Sequence, residues 1–479
     1  MSVALLKLYP DQPSKKEPIQ ARSYLDTAPL EVRGAGGKIH FISLGCPRNR
    51  VDTEVMLGIL LRAGYEVSPT IEEAHYTVIN TCGFLEAARE ESLETIGEVL
   101  AKKQGGAKVI VTGCMVQNHR EVIQERYPAI DYFLGSGDVA AILQAITAPE
   151  KGACVTSARS YLQEGEVPRR LSTPSHYAYL KIAEGCKKQC AYCIIPSIKG
   201  KLKSKSLERV VAEFKLLLDE GVKEIILIAQ DLGDWGKDRG YRRASGLIAL
   251  LKALLADRRD FWLRLLYLYP DEITPELITL MQSDPRICRY LDMPIQHIND
   301  RVLKAMHRKT TRAHICRTLE ALRASLPDIA IRTSFIVGFP GESEEEFAEL
   351  ENFITAAALD EVGVFSYSRE PKSAAFALPD QIDEAVKTRR KDSLIVAQQR
   401  VLKTKLQKKI GQTVRVLVEG YHPDSNLLLR GRHQGQCPDI DSEVILNTTD
   451  GVEAFGQWYP VLVTAVAGCD LIGHVAPIS

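Results

Sequence analysis

The stretch Cys186-Lys187-Lys188-Gln189-Cys190-Ala191-Tyr192-Cys193 carries the most specific pattern in this chain. Its three cysteines stand four and then three residues apart, directly after the apolar run 178–183. On a loop, this spacing lets three thiolates converge on one small metal cluster. A four-iron, four-sulfur (4Fe-4S) cluster normally takes four cysteines. Three close ligands without a nearby fourth therefore predict a cluster with one iron open to a substrate or cofactor.

A zinc site and a chance grouping of cysteines are the alternatives to an iron–sulfur cluster at this triplet. Zinc sites usually combine two CxxC-like pairs, or cysteines with histidines at short spacing. The flanking histidines, His176 and the distant His297, do not stand at that spacing. The CxxxCxxC triplet closely resembles the cluster motif of the radical S-adenosylmethionine (SAM) superfamily. That resemblance implies a 4Fe-4S cluster at Cys186, Cys190 and Cys193, with SAM as the cofactor.

Six strand-like segments alternate with helix-like ones around the triplet. The segments are residues 178–183, 224–229, 262–268, 290–294, 330–337 and 361–367. Ser206 is the expected N-cap of a helix over 207–220, and Thr274-Pro275 is a second helix start. This series predicts a partial or full (β/α) barrel within residues 172–402, whose site lies at the carboxyl ends of the strands. The triplet follows the first strand and so lies at that mouth.

Other strand-end residues are expected to line the same cavity. Gln230 follows the second strand, Gln296 the fourth and Gly338 the fifth. The superfamily resemblance implies that the fifth strand helps to hold SAM and that Tyr192 lies near its adenine. For Gln230, Gln296 and Gly338, ordinary turn chemistry is the alternative interpretation.

Two further features near the mouth allow two interpretations each. His297 is either a catalyst or, as we favour, a hydrogen-bonded scaffold residue. The basic run of Lys199, Lys201, Lys203 and Lys205 is either a solvated face or a contact with an RNA-rich particle.

Upstream of the barrel, three apolar runs rich in β-branched residues each end in a cysteine and a turn. They cover residues 38–46, 77–83 and 108–114 and end at Cys46, Cys82 and Cys114, with helix-like segments at 52–62 and 85–103. This alternation predicts a parallel α/β sheet over residues 38–150. Because parallel strands end at one edge of the sheet, these cysteines should converge although they are far apart in sequence. We therefore predict a second three-cysteine cluster site, with three unrelated buried thiols as the alternative.

The third region, residues 404–473, contains four short β-rich runs after a charged helix-like segment at 383–409. The runs are residues 413–418, 426–430, 444–446 and 459–466, which predict a small antiparallel β-barrel. From residue 411 onward there are three basic and eight acidic residues, a net charge of −5. Binding to nucleic acid depends on Lys and Arg neutralising phosphates. The charge therefore suits a basic protein better than RNA.

The composition and length of the chain limit the classes of protein to which it can belong. Lys plus Arg and Asp plus Glu both number 61 in 479 residues, so no net charge draws the chain to nucleic acid or to an anionic membrane. The length predicts about two to four domains, and the chain has no apolar run of the roughly 18 residues that a membrane span needs. Residues 1–37 contain four prolines and lack the apolar core of a signal peptide. We expect a flexible leader and a cytoplasmic protein.

Cysteine usage agrees with a reducing compartment. Eleven cysteines in a long chain of this type favour metal or redox chemistry over disulfides. The five outside the two triplets have no ligand-like context, and we interpret them as small buried hydrophobes. They are Cys154, Cys288, Cys316, Cys437 and Cys469.

Three motifs extend the resemblance to a specific family. Leu44-Gly-Cys-Pro-Arg-Asn-Arg-Val-Asp-Thr-Glu54, Asn80-Thr-Cys-Gly-Phe84 and Thr112-Gly-Cys114 resemble the N-terminal domain of the methylthiotransferases. The third region resembles the TRAM domain, an OB-like fold. The resemblance covers nearly everything beyond the leader. It implies an auxiliary 4Fe-4S cluster, held by the three cysteines of these motifs.

The family has two branches. One modifies an adenosine of tRNA, and the other modifies the β-carbon of an aspartate in the twelfth protein of the small ribosomal subunit. Residues 44–49 resemble the Leu-Gly-Cys-Pro-Lys-Asn of the second branch, whereas tRNA enzymes typically have Gly-Cys-Gln-Met-Asn at this place. Four further segments also resemble the second branch: residues 178–186, 194–202, 292–297 and 365–370. Residues 371–373 and 431–438 depart from the usual pattern, which leaves fine substrate contacts open.

The expected function is therefore methylthiolation of the ribosomal protein, free or on the ribosomal particle. The resemblance implies an electron donor such as flavodoxin or ferredoxin, and a tRNA partner is not expected. Two alternatives stay open at this point: a tRNA methylthiotransferase with the same chemistry, and an iron–sulfur electron carrier without radical chemistry.

Overall fold

The computed structural model describes residues 36–156, 160–162 and 167–476. In this part of the chain, two parallel six-stranded sheets and one closed barrel follow one another. Most of the predicted leader (residues 1–35) and part of the polar stretch before the central sheet lie outside the described residues. None of the described helices combines the length and the apolar character that crossing a membrane requires.

The first sheet has the strand order β2-β1-β3-β4-β5-β6, and all of its pairs are parallel. Its elements are β1 (Lys38–Ser43), α1 (Pro47–Arg62), β2 (Glu66–Val67), β3 (Tyr76–Thr81), α2 (Glu86–Lys102), β4 (Lys108–Gly113), α3 (Cys114–Arg126), β5 (Tyr132–Gly135), α4 (Ile142–Thr147) and β6 (Gly152–Cys154). The strands β3 and β4 are buried over almost their whole length, as expected of a sheet with helices on both faces. The predicted parallel α/β sheet is confirmed.

The second sheet has the order β14-β13-β12-β11-β10-β7, with every strand parallel to its neighbours. Its elements are β7 (Tyr177–Lys181), β8 (Ala183–Glu184), α5 (Ile195–Lys199), β9 (Lys203–Ser204), α6 (Leu207–Asp219), β10 (Glu224–Ile228), α7 (Ser245–Leu255), β11 (Trp262–Leu265), α8 (Pro275–Ser283), β12 (Ile287–Asp292), α9 (Asp300–Ala305), α10 (Arg312–Ser325), β13 (Ala330–Val337), α11 (Glu344–Ala357), β14 (Glu361–Ser366) and α12 (Glu384–Gln407). Because β7 and β14 do not pair, the sheet is an open, partial barrel. The partial (β/α) barrel among the predictions is confirmed.

Helix starts in this region follow the predicted capping chemistry. The Ser206 side chain accepts a hydrogen bond from the backbone of Arg209, and Thr274 accepts one from Leu277. Ser343 and Glu346 form a reciprocal capping box at α11.

The third sheet is a closed barrel in the order β15-β16-β17-β19-β18. Its strands are β15 (Thr413–His422), β16 (Ser425–His433), β17 (Val444–Leu446), β18 (Gln457–Ala467) and β19 (Asp470–Val475). The predicted small barrel is confirmed, but closure uses one strand that the sequence reading missed, β19. It also contains one parallel pair, β17 with β19, beside the antiparallel ones.

The small barrel packs against the amino ends of the partial barrel's strands. Arg432 pairs with Glu224, the first residue of β10, and the Trp458 ring lies 5.8 Å from the ring of Trp262, the first residue of β11. Leu417 of β15 joins the apolar cluster on the inner face of the partial barrel. The carboxyl ends of the same strands, at the opposite end, are left for the site.

Candidate functional site

The loop of Cys186, Cys190 and Cys193 lies at the carboxyl end of β7, between two paired short strands. β8 and β9 form an antiparallel pair, with Glu184 opposite Lys203, and so close the base of the loop. Gly185 has a φ of +77°, and a Cβ there would strike the carbonyl of Lys201, so only glycine suits this entry. The backbone N–H of Lys188 lies 3.4 Å from the Cys186 sulfur, and that of Ile195 lies 3.4 Å from the Cys193 sulfur.

The three thiols of this loop act on one another electrostatically. Burial, together with negative charge on Cys190 and Cys186, raises the pKa of Cys193 to about 12. Burial likewise raises the pKa of Cys186 to about 11. Metal ligation is what turns such buried thiols into thiolates, because a bound cation reverses the effect of burial.

Cys46, Cys82 and Cys114 follow β1, β3 and β4, which are consecutive neighbours in the first sheet. Burial raises the pKa of Cys82 to about 12, and the charges of Cys114 and Cys46 add to that effect. A Cβ on Gly45 would lie 2.8 Å from the Cys82 Cβ, so the turn after β1 approaches Cys82 closely. The three cysteines therefore lie at one edge of the sheet, as expected from the shared direction of its parallel strands.

The spacing of the sulfurs fits a cluster better than a single ion. In neither triad do all three sulfurs lie within 4.8 Å of one another. Zinc–sulfur bonds of about 2.3 Å hold two ligands of one ion at most about 4.6 Å apart. All six cysteines are free thiols, and soft thiolates in groups of three are the ligand set that iron–sulfur clusters take. The donor set of each triad fits that group.

The two triads approach each other across the junction of the two sheets. Cys114 packs with Ile194 and Ile198, which directly follow the second triad. The side chain of Asn118 in α3 donates to Ser197 in α5 at 3.1 Å. Both cysteine loops therefore face one shared space.

Arg48 lies in that space. Its guanidinium donates to the carbonyl of Ala229 at 3.0 Å and stands 5.0 Å above the centre of the Tyr267 ring. Burial raises the pKa of Cys46, but the charge of Arg48 and hydrogen bonds from Arg48 and the backbone of Asn49 together outweigh it, and the pKa falls below its usual value. The same charge opposes the rise in the pKa of Cys193 that burial causes.

A second guanidinium occupies a matching position beside Cys190. Arg308 stands 3.9 Å above the centre of the Tyr269 ring and donates to the carbonyl of Pro294 at 2.6 Å. The Tyr269 hydroxyl lies 3.2 Å from the Cys190 sulfur. Arg308, Tyr269 and Cys190 line one cleft together with Lys188. From the sequence we predicted no site residue at the end of β11, although the argument that parallel strands end at the site applies to this strand as well.

One of the four residues predicted to contact SAM presents an unpaired polar group, and a second has a left-handed backbone. The buried Oε1 of Gln230 has no hydrogen-bond partner within the described residues. Gln296 has a φ of +75°, and its backbone pairs with Ser334 and Ile336, which extends β12 beside β13. Both positions fit ligand contact, which stays a prediction.

Tyr192 and Gly338 meet on the other side of the mouth. Tyr192 packs in one apolar cluster with Phe339 and Tyr367. Gly338 has a φ of +72°, and the space where its Cβ would stand is filled by Lys387. The glycine is therefore explained by the approach of Lys387, and a contact from its backbone to a ligand remains a prediction.

Comparisons with known proteins agree with this arrangement. Three family models match: the uncharacterized protein family UPF0004 at residues 38–135, the radical SAM superfamily at 180–354 and the TRAM domain at 410–476. A protein of Protochlamydia amoebophila named ribosomal protein uS12 methylthiotransferase RimO is 60% identical, over 92% of this chain and 93% of the relative. Proteins of that name from Chlamydia caviae and Bdellovibrio bacteriovorus are 53% and 44% identical over 91% of this chain, and over 95% and 97% of their own lengths. This chain belongs to the RimO family.

A solved structure shares the fold of this RimO-family chain. The radical SAM methyltransferase TsrM from Kitasatospora setae matches with a TM-score of 0.51 at 15% identity, covering 71% of this chain and 74% of that one. This likeness concerns the fold alone. The superfamily match itself implies a 4Fe-4S cluster and SAM.

Acidic residues beside the second triad form an ion-pair network. Carboxylate oxygens of Asp231, Asp234 and Glu272 lie within 4.8 Å of one another, and all three side chains are buried. Lys237 bridges Asp234 at 2.8 Å and Glu272 at 2.5 Å, and Lys188 contacts Asp231. Burial raises the pKa of Asp231, and Lys188 opposes that rise. Two lysines thus offset most of the charge of these three carboxylates.

Neither interpretation of the basic run holds for two of its lysines. Lys199 is buried and pairs with Asp52 at 3.2 Å and with Glu184 at 2.8 Å, while Lys205 is buried against Glu213. These side chains tie the cluster loop to neighbouring elements and face neither solvent nor RNA. Sequence alone gives no sign of this, because their partners are far away along the chain.

One ring nitrogen of His297 fits the scaffold interpretation that we favoured, while the other, Nε2, has no hydrogen-bond partner within the described residues and lies 3.6 Å from Glu342. His297 is fully buried, and its Nδ1 accepts a hydrogen bond from the backbone of Asn299 at 3.0 Å. Burial lowers its pKa to about 4, so the ring is neutral at pH 7.

Proposed function

We propose that this chain is a radical SAM methylthiotransferase that adds a methylthio group to the β-carbon of an aspartate in ribosomal protein uS12. The observation that carries the proposal is the meeting of two three-cysteine sets at one junction of two sheets. Membership of the RimO family supports the protein substrate over tRNA.

Each triad holds one 4Fe-4S cluster in this proposal. Cys186, Cys190 and Cys193 hold the cluster that works with SAM, and the three strand-end cysteines of the first sheet hold the auxiliary one. When bound, these groups supply the radical chemistry that removes hydrogen from an unactivated carbon, together with the sulfur and methyl groups to be transferred.

The protein's own residues bind and shield these groups. Gln230 and Gln296 offer amides to SAM from two strand ends, and Tyr192 and the backbone of Gly338 approach it from the other side. Residues 38–150 carry the auxiliary cluster, 172–402 the SAM site and 404–473 the docking module. The small barrel covers the opposite end of the partial barrel and so shields the reaction space from water on that side.

The proposed partners follow from the reaction. Reduction of the cluster requires an electron donor such as flavodoxin or ferredoxin, and a ribosomal substrate requires a cytoplasmic enzyme. The acidic third module suits a basic ribosomal protein, because charges of opposite sign raise the rate of encounter.

The direct test is methylthiolation by the reconstituted enzyme. Protein loaded with iron and sulfide is incubated with SAM, a reductant and either uS12 or tRNA, and the products are weighed by mass spectrometry. We expect a gain of one methylthio group on uS12, and none on uS12 whose target aspartate is replaced by alanine. A gain on tRNA with none on uS12 would select the RNA branch instead. Reduction without any deoxyadenosine formed from SAM would point to an electron carrier.

A further inference from the structure

The hydroxyl of Tyr269 contacts a cysteine of the second triad. Its oxygen lies 3.2 Å from the Cys190 sulfur. The backbone after β11 holds the tyrosine in place: its carbonyl accepts a hydrogen bond from the N–H of Glu272 at 3.0 Å, and the preceding Leu268 donates to the carbonyl of Asp292 at 2.9 Å. A cysteine that ligates iron has lost its proton and can only accept a hydrogen bond. In the loaded protein, the hydroxyl is therefore the donor.

Two cations stand over the ring of Tyr269. The guanidinium carbon of Arg308 lies 3.9 Å from the ring centre, and the Nζ of Lys188 lies 3.8 Å from it. Lys188 also contacts the carboxylate of Asp231, which offsets part of its charge. Arg308 donates instead to the neutral carbonyl of Pro294, so we expect it to act on the ring more strongly. A cation over an aromatic ring draws its electrons towards itself, which makes the hydroxyl a better hydrogen-bond donor.

We propose that Tyr269, assisted by Arg308 through the ring, raises the reduction potential of the second triad's 4Fe-4S cluster by donating a hydrogen bond to Cys190. Reduction adds one electron to the cluster, and part of the added negative charge falls on its sulfur ligands. A donor to such a sulfur stabilises the reduced cluster more than the oxidised one. The electron comes from the donor that the proposed function already requires, and the hydroxyl keeps its proton. This inference rests on the proposed function and explains how its first step is made easier.

The test is a redox titration of the holoenzyme, followed by electron paramagnetic resonance. The cluster with the open iron is identified as the one whose signal changes when SAM is added. Tyr269→Phe removes the hydroxyl and keeps the ring. We expect its equilibrium constant for one-electron reduction, measured without SAM, to be about 3- to 10-fold smaller, the range of one hydrogen bond. This change lowers the midpoint potential by about 30 to 60 mV. Tyr192, which also adjoins Cys190, is the same in both proteins.

Tyr290→Phe is the matched control. The ring of Tyr290 lies 4.6 Å from the guanidinium carbon of Arg264, but its buried hydroxyl has no hydrogen-bond partner within the described residues. This tyrosine belongs to the apolar cluster that includes Leu417 of the small barrel. Its variant should keep the wild-type potential, and both variants should keep the wild-type iron content. An unchanged potential in Tyr269→Phe, or equal shifts in the two variants, would overturn the proposal.

The contribution of Arg308 is measured by a double-mutant cycle. Its Nη1 lies 4.0 Å from the Cys190 sulfur, so Arg308→Gln should lower the potential by itself. If the guanidinium also strengthens the hydrogen bond, Arg308→Gln should cause a smaller shift when Tyr269→Phe is already present. Additive shifts would overturn the assistance of Arg308 through the ring.

The choice of reductant separates this effect from a structural one. With a reductant whose potential is close to that of the cluster, Tyr269→Phe should cleave SAM more slowly than wild type, because less of its cluster is reduced. With titanium(III) citrate in excess, it should reach at least the wild-type rate. A loss that persists with the strong reductant, at an unchanged potential, would assign Tyr269 a structural role only. A wild-type protein without any SAM-sensitive signal would contradict the proposed function instead, so the two ideas fail separately.

Discussion

Each cysteine triad has a guanidinium stacked on a tyrosine from the end of the same strand, β11. Arg48 lies over Tyr267 beside Cys46, and Arg308 lies over Tyr269 beside Cys190. Arginine is less strongly hydrated than lysine and stacks on aromatic faces, so it is suited to such sites. Positive charge of this kind favours the thiolate form that iron requires.

The two triads should be separable by single substitutions. Cys186→Ala and Cys46→Ala should each lower the iron content from about eight to about four atoms per chain, because each removes a ligand from one cluster. Cys46→Ala should still cleave SAM to deoxyadenosine under reduction and should add no methylthio group. Iron analysis and product analysis by mass spectrometry measure both effects.

A matched control is Cys288→Ala, since Cys288 is buried on β12 away from both triads. It should retain full iron content. Unchanged iron in Cys46→Ala would contradict a second cluster at the first sheet.

Asp292 should make stability depend on pH. Burial raises its pKa to about 6 from 3.8, and Arg332 opposes this rise. Because the folded state holds the proton more tightly than the unfolded one, this carboxyl destabilises the fold as pH rises from about 4 to 6 and beyond. Relative to Asp292→Asn, wild type should gain about 1 kcal/mol between pH 7 and pH 5. Urea unfolding of the cluster-free proteins at both pH values measures the difference.

The comparison must be made between the two proteins at each pH. Burial lowers the pKa of His297 to about 4 and that of His433 to about 3, so both act in the opposite direction below pH 6.5. Their effect is common to wild type and variant and cancels. A stability difference that is the same at pH 5 and pH 7 would exclude the raised pKa of Asp292.

At the scale of single residues, the sequence predicted candidate ligands but not the side chains that surround them. The cysteines stand in short motifs or directly after strands, and both signals are local. Arg48 and Tyr267 meet only because β11 ends beside the start of α1, which no local pattern reports. The pairing of Lys199 with Asp52, 147 positions apart, is hidden for the same reason.

Among the elements, α1 connects the two sheets. Its first turn carries Arg48, and its next turns bury Asp52 and Glu54 against the partial barrel. Lys181 of β7 contacts Asp52 at 2.5 Å, and Arg169 contacts Glu54 at 2.6 Å. Buried ion pairs add little net stability but constrain the geometry, because a misplaced partner leaves a charge uncompensated. The helix thereby fixes one triad relative to the other.

Arg169→Met should destabilise the protein strongly. Arg169 is 2% exposed and satisfies Glu54, Glu213 and the carbonyl of Tyr179. Its loss leaves a buried carboxylate uncompensated, and we expect a cost of about 3–5 kcal/mol. Chemical denaturation of the cluster-free protein measures it.

Lys38→Met is the matched control, since its pair with Glu73 at 3.0 Å is about half exposed on both sides. Its cost should be below about 1 kcal/mol. Equal costs for the two variants would mean that the interface around α1 does not depend on this pair.

Element prediction succeeded where periodicity was long and failed where tertiary pairing decides. The strand β13 has the predicted bounds, 330–337, and with eight residues it is the longest strand of the second sheet. The two-residue strands β8 and β9 exist only through their pairing and have no pattern of their own. β19 was missed because Gly473 and polar residues interrupt its apolar run.

At the scale of the whole molecule, the position of the small barrel determines which steps its negative charge can influence. It contacts the amino ends of the central strands, whereas the triads lie at the carboxyl ends. One five-residue strand separates the two levels by about 17 Å. Part of its negative charge is also turned inward, since Glu419 pairs with Arg432 and Asp441 with Arg332. We therefore expect the small barrel to attract and hold a protein substrate without touching the reacting aspartate.

Charge reversal on the exposed side of the small barrel should accordingly weaken docking and spare the chemistry. Asp424, Asp450 and Glu453 are exposed, and changing all three to lysine shifts the charge from residue 411 onward from −5 to +1. With intact uS12 the KM should rise about 3- to 10-fold at low salt, because electrostatic attraction is lost. The difference should shrink as salt screens the charges. With a short peptide around the aspartate, kcat and KM should both match wild type.

The control for this prediction reverses three exposed carboxylates of the first sheet's domain, Glu66, Glu72 and Glu125, which changes total charge by the same amount. Its KM for intact uS12 should stay close to wild type, because attraction depends on where the charge lies as well as on its sum. If the two triple variants raise KM equally, the effect is one of net charge, and the small barrel has no specific docking role. If the first variant instead lowers kcat on the short peptide, the small barrel acts on the reaction space through the strands between them, since it lies too far away to act by contact.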